Sequence, residues 1–280
     1  MHHTKRHQFG PIESLQMGVG YFGPPPVSVH SFFIDGLLID TGPPKLKQEF
    51  LQWLEPKPLK QVFITHHHED HSGNVNPISA QFKVPVYGSL GCSELVQGKV
   101  ATSLPQKLFW GTPVFTDRVQ PFDNSRLSTP KYDFDLIPIP GHAEDQVALF
   151  EPKQGWLFSA DAFVSPQIKY FIKKESMAQQ IQSLKKMASL DFDILLCCHA
   201  PVVKGGKALL EQKINYLEQY YASVVYYHGK GQSPRQILKS IGAKERWFQY
   251  FFSGGNMCAV NMVKSVIRDE KTVDNLRISP

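Results

Sequence analysis

Four residues with metal-ligand chemistry crowd into one short stretch: His66, His68, Asp70 and His71, in the order His-x-His-x-Asp-His. Directly before them runs Gln61-Val62-Phe63-Ile64-Thr65, an apolar β-branched segment that reads as a buried strand. On a loop leaving a strand, the alternation sends two imidazoles one way and keeps a carboxylate and a third imidazole close by. Neutral imidazole and carboxylate are ligands of first-row transition metals, zinc above all. An exposed polar loop or a remnant of an affinity tag is the plain alternative, but a tag lies at a terminus and lacks the embedded aspartate. His67 and Glu69 fall on the other phase and read as supporting or surface residues.

Three further candidates come after later strands: His142 after Phe134–Ile139, Asp161 after Gly155–Ala160, and His199 after the almost wholly apolar Asp193–Cys198. Each alone is a common turn residue. Seven ligand-type residues all placed where strands end are another matter, because strand mouths gather distant sequence into one site.

The elements that must position them alternate. Val27–Ile34 and Leu37–Asp40 form strands joined at Asp35-Gly36, a hairpin signal. Lys45–Leu54 reads as an amphipathic helix, Asn76–Gln81 and Ser93–Gly98 as short helices, and Val84–Tyr87 as a short strand. Residues 99–133 are broken by prolines yet apolar, as expected of a packed cover rather than a linker. Gln146–Phe150 is a further strand. Ala178–Leu190 and Lys207–His228 have helical period. Ser233-Pro234 starts another helix with Gly242 as its stop, and at least one more covers about 244–268. Residues before 20 give no clear element, and His2, His3 and His7 are expected to fray. The expectation is an α/β fold: a metal-binding domain over 1–205 and a C-terminal helical subdomain over 206–280 packed on it.

Composition sets outer bounds. The chain has 280 residues, 42% hydrophobic and 20% charged, with net charge +5. That is globular rather than disordered, and the modest basic excess tolerates an anionic substrate or nucleic acid without requiring either, nucleic acid being the less favoured. Cys92, Cys197, Cys198 and Cys258 make no C-x-x-C pair and read as reduced thiols of a cytoplasmic protein. Cys197 and Cys198 read as buried strand residues because His199 already fills the ligand position. No run is long enough to span a bilayer. Oligomeric state is not legible.

The ordered set H-x-H-x-D-H, His, Asp, His resembles the metallo-β-lactamase superfamily over about residues 27 to 203. Leu38-Ile39-Asp40-Thr41-Gly42 resembles that family's first turn. Gly141-His142-Ala143-Glu144-Asp145 is similar to the corresponding stretch of its glyoxalase II-like and lactamase-β-2-like hydrolases. The resemblance implies an αββα sandwich with two divalent metals on one edge, zinc first, manganese or iron as alternatives. By that match His66, His68 and His142 hold one ion, Asp70, His71 and His199 the second, and Asp161 bridges them. Ions about 3.5–4 Å apart bind a shared water and lower its pKa, so that hydroxide attacks an ester, thioester or lactone carbonyl of a small substrate. Asp70 is then both ligand and proton carrier. Lys169 and Tyr170, on the basic-aromatic loop after Asp161, are candidates to hold an anionic part of the substrate, a solvated surface loop being the alternative. His30 and the Pro24-Pro25-Pro26 loop offer one wall of the site, the 105–122 cover another. Rival activities are a phosphodiesterase or endoribonuclease, an iron persulfide dioxygenase using His66, His142 and Asp161 alone, and a non-catalytic binding protein.

Overall fold

Strand pairing starts at the N-terminus itself. In the computed structural model, which describes residues 1–98, 104–113 and 115–278, β1 (His2–Phe9) and β2 (Ile12–Val19) form an antiparallel hairpin turning at Gly10. The expected frayed terminus is therefore wrong. His2, His3 and His7 lie in an edge strand whose residues are all polar but Phe9, so β1 carries no alternation of apolar residues to read. β3 (Val29–Ile34) and β4 (Leu37–Ile39) come next, joined by Asp35 and Gly36 with φ of 48° and 85°, the doubly left-handed hairpin turn that Asp-Gly favours.

Helix α1 (Lys47–Leu54) leads to β5 (Gln61–Ile64), α2 (Glu69–Ser72), α3 (Val75–Phe82), β6 (Val86–Gly88) and α4 (Leu90–Leu95). The cover is more regular than its prolines suggest. It holds α5 (Leu104–Phe109), β7 (Val119–Pro121) and β8 (Arg126–Ser128), while 99–103 and 114 lie outside the described residues. Then come β9 (Asp133–Pro138), β10 (Val147–Glu151), β11 (Trp156–Ala160), β12 (Phe171–Ile172), α6 (Met177–Ala188), β13 (Ile194–Cys197) and α7 (Gly206–Gly229). The chain closes through α8 (Pro234–Ser240), α9 (Trp247–Phe252), β14 (Met257–Cys258) and α10 (Ala259–Ile278). The stretch 244–268, expected to hold at least one helix, holds α9 and the first part of α10. Gly254 and Gly255, both with positive φ, end α9.

Two sheets result. The first runs β1-β2-β3-β4-β5-β6-β7, antiparallel as far as β4 and parallel beyond; the second runs β13-β11-β10-β9-β8, with only β11 and β13 parallel. Their inner faces share one core. Phe32 of the first sheet meets Phe158 of the second edge to face at 5.4 Å, and Phe63, Phe134 and Leu196 complete it. Burying each such side chain is worth about 1.5–3 kcal/mol. A second core lies on the outer face of the second sheet. It joins Ile137, Leu157 and Leu195 to Leu184 of α6, Leu210 and Leu217 of α7, and Val263 of α10, so residues on both sides of position 205 build it together. The sheets are back to back and the site elements β5, β9, β11 and β13 end on one edge. Among the described residues, no helix is long and apolar enough to cross a membrane.

Candidate metal centre

β5 ends at Ile64, and the next residue ties the chain down. Thr65 donates its N–H to Asp40 Oδ1 (2.8 Å) and its hydroxyl to Asp40 Oδ2 (2.9 Å). Asp40 terminates β4 in the left-handed region, φ 61°, wholly buried. The turn after it is locked to α2 by Thr41, whose N–H and hydroxyl both donate to His71 O (2.6 and 2.9 Å). Asn74 Nδ2 donates to the carbonyls of Thr41, Gly42 and Pro43. Strand end, turn and helix α2 thereby form one rigid support under His66, His68, Asp70 and His71.

Each imidazole is then fixed from behind. His71 Nδ1–H donates to Asp40 Oδ2 (2.8 Å), His142 Nδ1–H to Glu175 Oε1 (2.9 Å), and His199 Nδ1–H to the carbonyl of Ser28 (2.7 Å). Carboxylate and carbonyl oxygens only accept, which sets these tautomers. His66 Nδ1 lies 3.1 Å from Thr65 Oγ1, whose own hydrogen is used on Asp40, so His66 donates there too. All four rings therefore turn Nε2 to the interior, His199 Nε2 hydrogen-bonding Asp161 Oδ2 at 3.1 Å, and an Nδ1–H held from behind is the arrangement that raises ligand basicity at metal sites. His68 turns Nδ1 inward, 3.0 Å from His66 Nε2 and 3.1 Å from His142 Nε2.

The four Nε2 atoms converge on a single oxygen. Asp161 Oδ2 stands 3.1 Å from His199, 3.3 Å from His71, 3.5 Å from His142 and 3.9 Å from His66. Asp70 Oδ2 lies 3.6 Å from His199 Nε2 and 3.7 Å from His71 Nε2. Two donor sets share Asp161: His66, His68 and His142 on one side, and Asp70, His71 and His199 on the other, each within 4.8 Å. Lone pairs aimed at a carboxylate repel unless cations or protons lie between. His71 Nε2 and Asp161 Oδ1 are buried without any hydrogen-bond partner, which fits donors shaped for cations. A third group, Asp40, His71 and Cys198, does not fit: its nitrogen is spent on Asp40, and burial with the Asp40 charge pushes the Cys198 thiol up.

Electrostatics divides the bare cage in two. Burial and then the neighbouring imidazoles hold His66 and His68 well below the ordinary range. Burial also opposes protonation of His199, but Asp161 and Asp70 outweigh it and push it up to about 10. His71 is raised in the same way, against burial, by Asp161, Asp70 and Asp40. Burial would raise Asp161, yet His199 and His71 hold it well below the carboxylate range.

The structure brings all seven sequence candidates together. Lys169 and Tyr170, among the described residues, neither hydrogen-bond nor ion-pair with the seven. Lys169 is exposed. Tyr170 is half-buried, its phenol raised by burial and by the charge of Glu175. His67 turns away, donating its N–H and facing with Nδ1 the carboxylate of Asp145 (2.7 and 2.8 Å). Glu69 is interior rather than surface; burial, then the charge of Asp70, pushes its carboxyl up to about 7. His30 is buried, paired to Ser14 Oγ at 2.8 Å, and its backbone N–H donates to Cys198 O at 2.7 Å. The cover does supply a wall: the Trp110 ring sits 6.3 Å from that of His199. Sequence reasoning missed Glu175, Asn74 and Asp145 as supports. Asp145 lay inside the Gly-His-Ala-Glu-Asp stretch, whereas Glu175, 33 residues from its partner, leaves no local signal.

Two mixed sheets packed back to back, helices outside and a seven-residue His/Asp cage at one edge define a metallo-β-lactamase-type sandwich. The chain belongs to the metallo-beta-lactamase superfamily, whose sequence model matches residues 24–199. It is similar to a hydroxyacylglutathione hydrolase of Bdellovibrio bacteriovorus, 27% identical over 148 residues that make up 53% of this chain and 51% of the relative. A hydroxyacylglutathione hydrolase of Nitrosomonas eutropha is 27% identical over 164 residues, 58% and 55% of the two chains. The chain thus spans about half the length of these curated relatives. Among solved structures, a metallo-beta-lactamase from Pontibacter korlensis superposes with TM-score 0.59 at 20% identity, covering 77% of this chain and 99% of that one. At that identity the likeness concerns the fold.

Proposed function

We propose that this chain is a dinuclear-metal-dependent hydrolase that cleaves an ester, thioester or lactone of a small substrate. The convergence of four tautomer-fixed Nε2 atoms on Asp161 Oδ2 carries the reading. His66, His68 and His142 would hold one ion, Asp70, His71 and His199 the other, with Asp161 between. Their nitrogen and oxygen donors suit zinc first. When bound, the ions supply Lewis acidity and an activated water.

The chain's own groups do the rest. Asp40, Glu175 and Ser28 hold Nδ1–H of His71, His142 and His199 and so leave Nε2 as the atom that would meet a metal. Asp70, beside His71 and His199, is the proton carrier, taking a proton from water and returning it to the leaving group. Trp110 shields the His199 side from bulk water. Lys169 and Tyr170 are the groups proposed to meet an anionic part of the substrate. Two relatives named for hydrolysing a hydroxyacylglutathione favour acyl cleavage over phosphodiester cleavage. The buried free thiols Cys92, Cys197, Cys198 and Cys258 support a reducing, cytoplasmic setting.

A panel of chromogenic ester, thioester, lactone and phosphodiester substrates tests this. Hydrolysis of an acyl substrate, lost in Asp70→Asn, supports the proposal. Turnover of the phosphodiester alone, or oxygen consumption with a persulfide, would replace it.

A further inference from the structure

Asp161 owes its position to a contorted turn. The pairing of β11 with β13 slips in register between Phe158 and Ala160, a local bulge that re-aims the residues just beyond it. Ala160 and Val164 then both take left-handed backbone, φ 45° and 51°, which a β-branched residue such as valine avoids. Such strain persists only where surrounding contacts over-determine it. Some of those contacts come from the strand side: Cys198 N–H donates to Ala160 O (3.0 Å) and Val164 N–H to Cys197 Sγ (3.2 Å).

The other support comes through the helical layer. Lys213 of α7 is almost wholly buried, 2% exposed, and its Nζ donates to the carbonyls of Ala162 (2.8 Å) and Phe163 (2.6 Å). Among the described residues no carboxylate forms an ion pair with it. A buried ammonium without a counter-charge is costly, and its hydrogen-bond partners are the two carbonyls immediately beyond Asp161. The helix can reach this far because α7 presses on the sheet: a Cβ on Gly206 would meet Leu195 Cβ at 2.6 Å. Leu210 and Leu217 lock the same helix into the outer core.

We propose that Lys213 is a positioning residue for the metal centre: it clamps the strained 160–164 turn from the helical layer and so aims Asp161 between the two donor sets. This rests on reading the His/Asp cage as a metal centre. Its consequence is that the C-terminal helices contribute directly to metal affinity, although none of the candidate ligands lies on them.

The test measures zinc binding by competition with a chromophoric chelator, and the melting temperature of the chelator-treated protein, for the full chain and three variants. Lys213→Met keeps the length of the side chain and removes its donors; Lys213→Gln keeps an amide donor. Leu217→Ala damages the packing of α7 one turn further on and leaves the clamp alone. Lys213→Met is expected to weaken zinc binding by roughly tenfold or more, with Lys213→Gln recovering part of the loss. Leu217→Ala is expected to lower the melting temperature while zinc affinity stays within about twofold of wild type. Equal zinc affinity in Lys213→Met and wild type would overturn the proposal, as would an equal loss in Leu217→Ala, since Lys213 would then serve the fold alone. Lys213→Gln carries the comparison if Lys213→Met does not fold. Wild-type protein that takes up no zinc would sink the metal-centre reading itself, a result distinct from a clamp that does not matter.

Discussion

Asp161 is the residue on which the site is hinged, because its Oδ2 faces four imidazoles at once. Asp161→Asn keeps the shape and halves the donor capacity of the side chain. Expected are a loss of activity of at least about a thousandfold and a fall in bound metal below that of wild type, read by steady-state kinetics and elemental analysis. The supports behind the rings should matter less but measurably. Glu175→Ala leaves His142 Nδ1–H unpaired and is predicted to weaken metal binding about 10–100-fold. Glu175→Gln retains a carbonyl oxygen that can accept the same hydrogen bond and should lose far less. Equal losses in the two variants would mean that Glu175 acts through its charge. The seven candidates were legible because four of them sit within six consecutive residues and the other three come after strands with strong apolar runs. Glu175 was not, since nothing near it in sequence distinguishes it from a surface carboxylate.

At the scale of elements, the site depends on how closely loops approach helices. Gly141, just before His142, has φ 139°, and a Cβ there would lie 2.5 Å from the backbone nitrogen of Gln180 in α6. Gly141→Ala should therefore cost about 2–4 kcal/mol and lower the denaturant midpoint, with His142 displaced and metal binding weakened alongside. An unchanged midpoint would contradict the packing described for α6. Elements with an apolar period were legible in sequence: β5, β11 and β13 as apolar runs, α6 and α7 by their 3.6 spacing. β1 was not, because an edge strand of His, Thr, Lys, Arg and Gln with Phe9 alone apolar has no apolar alternation to betray it. Nor were α5, β7 and β8, whose prolines and short lengths hide them within the cover.

For the whole molecule, stability and metal content are the properties to follow. Burial pushes His30 down to about 3 from an ordinary 6.5, aided by the charges of His7 and His199. Between those values the unfolded chain binds a proton that the folded chain refuses. Stability therefore rises with pH across that window and is lost as pH falls through it. For chelator-treated protein, His30 accounts for about 2 kcal/mol of the loss between about pH 7.5 and about pH 5. His30→Asn should flatten that part of the urea-midpoint profile, and a profile parallel to wild type would show that His30 is already solvated. The central claim is the dinuclear centre, and its most direct test is the metal content of protein purified without added metal, by elemental mass spectrometry. The predicted result is about two zinc, or another divalent transition metal, per chain, removed by chelator and restored on reconstitution. Protein that carries no metal and takes up none would contradict it.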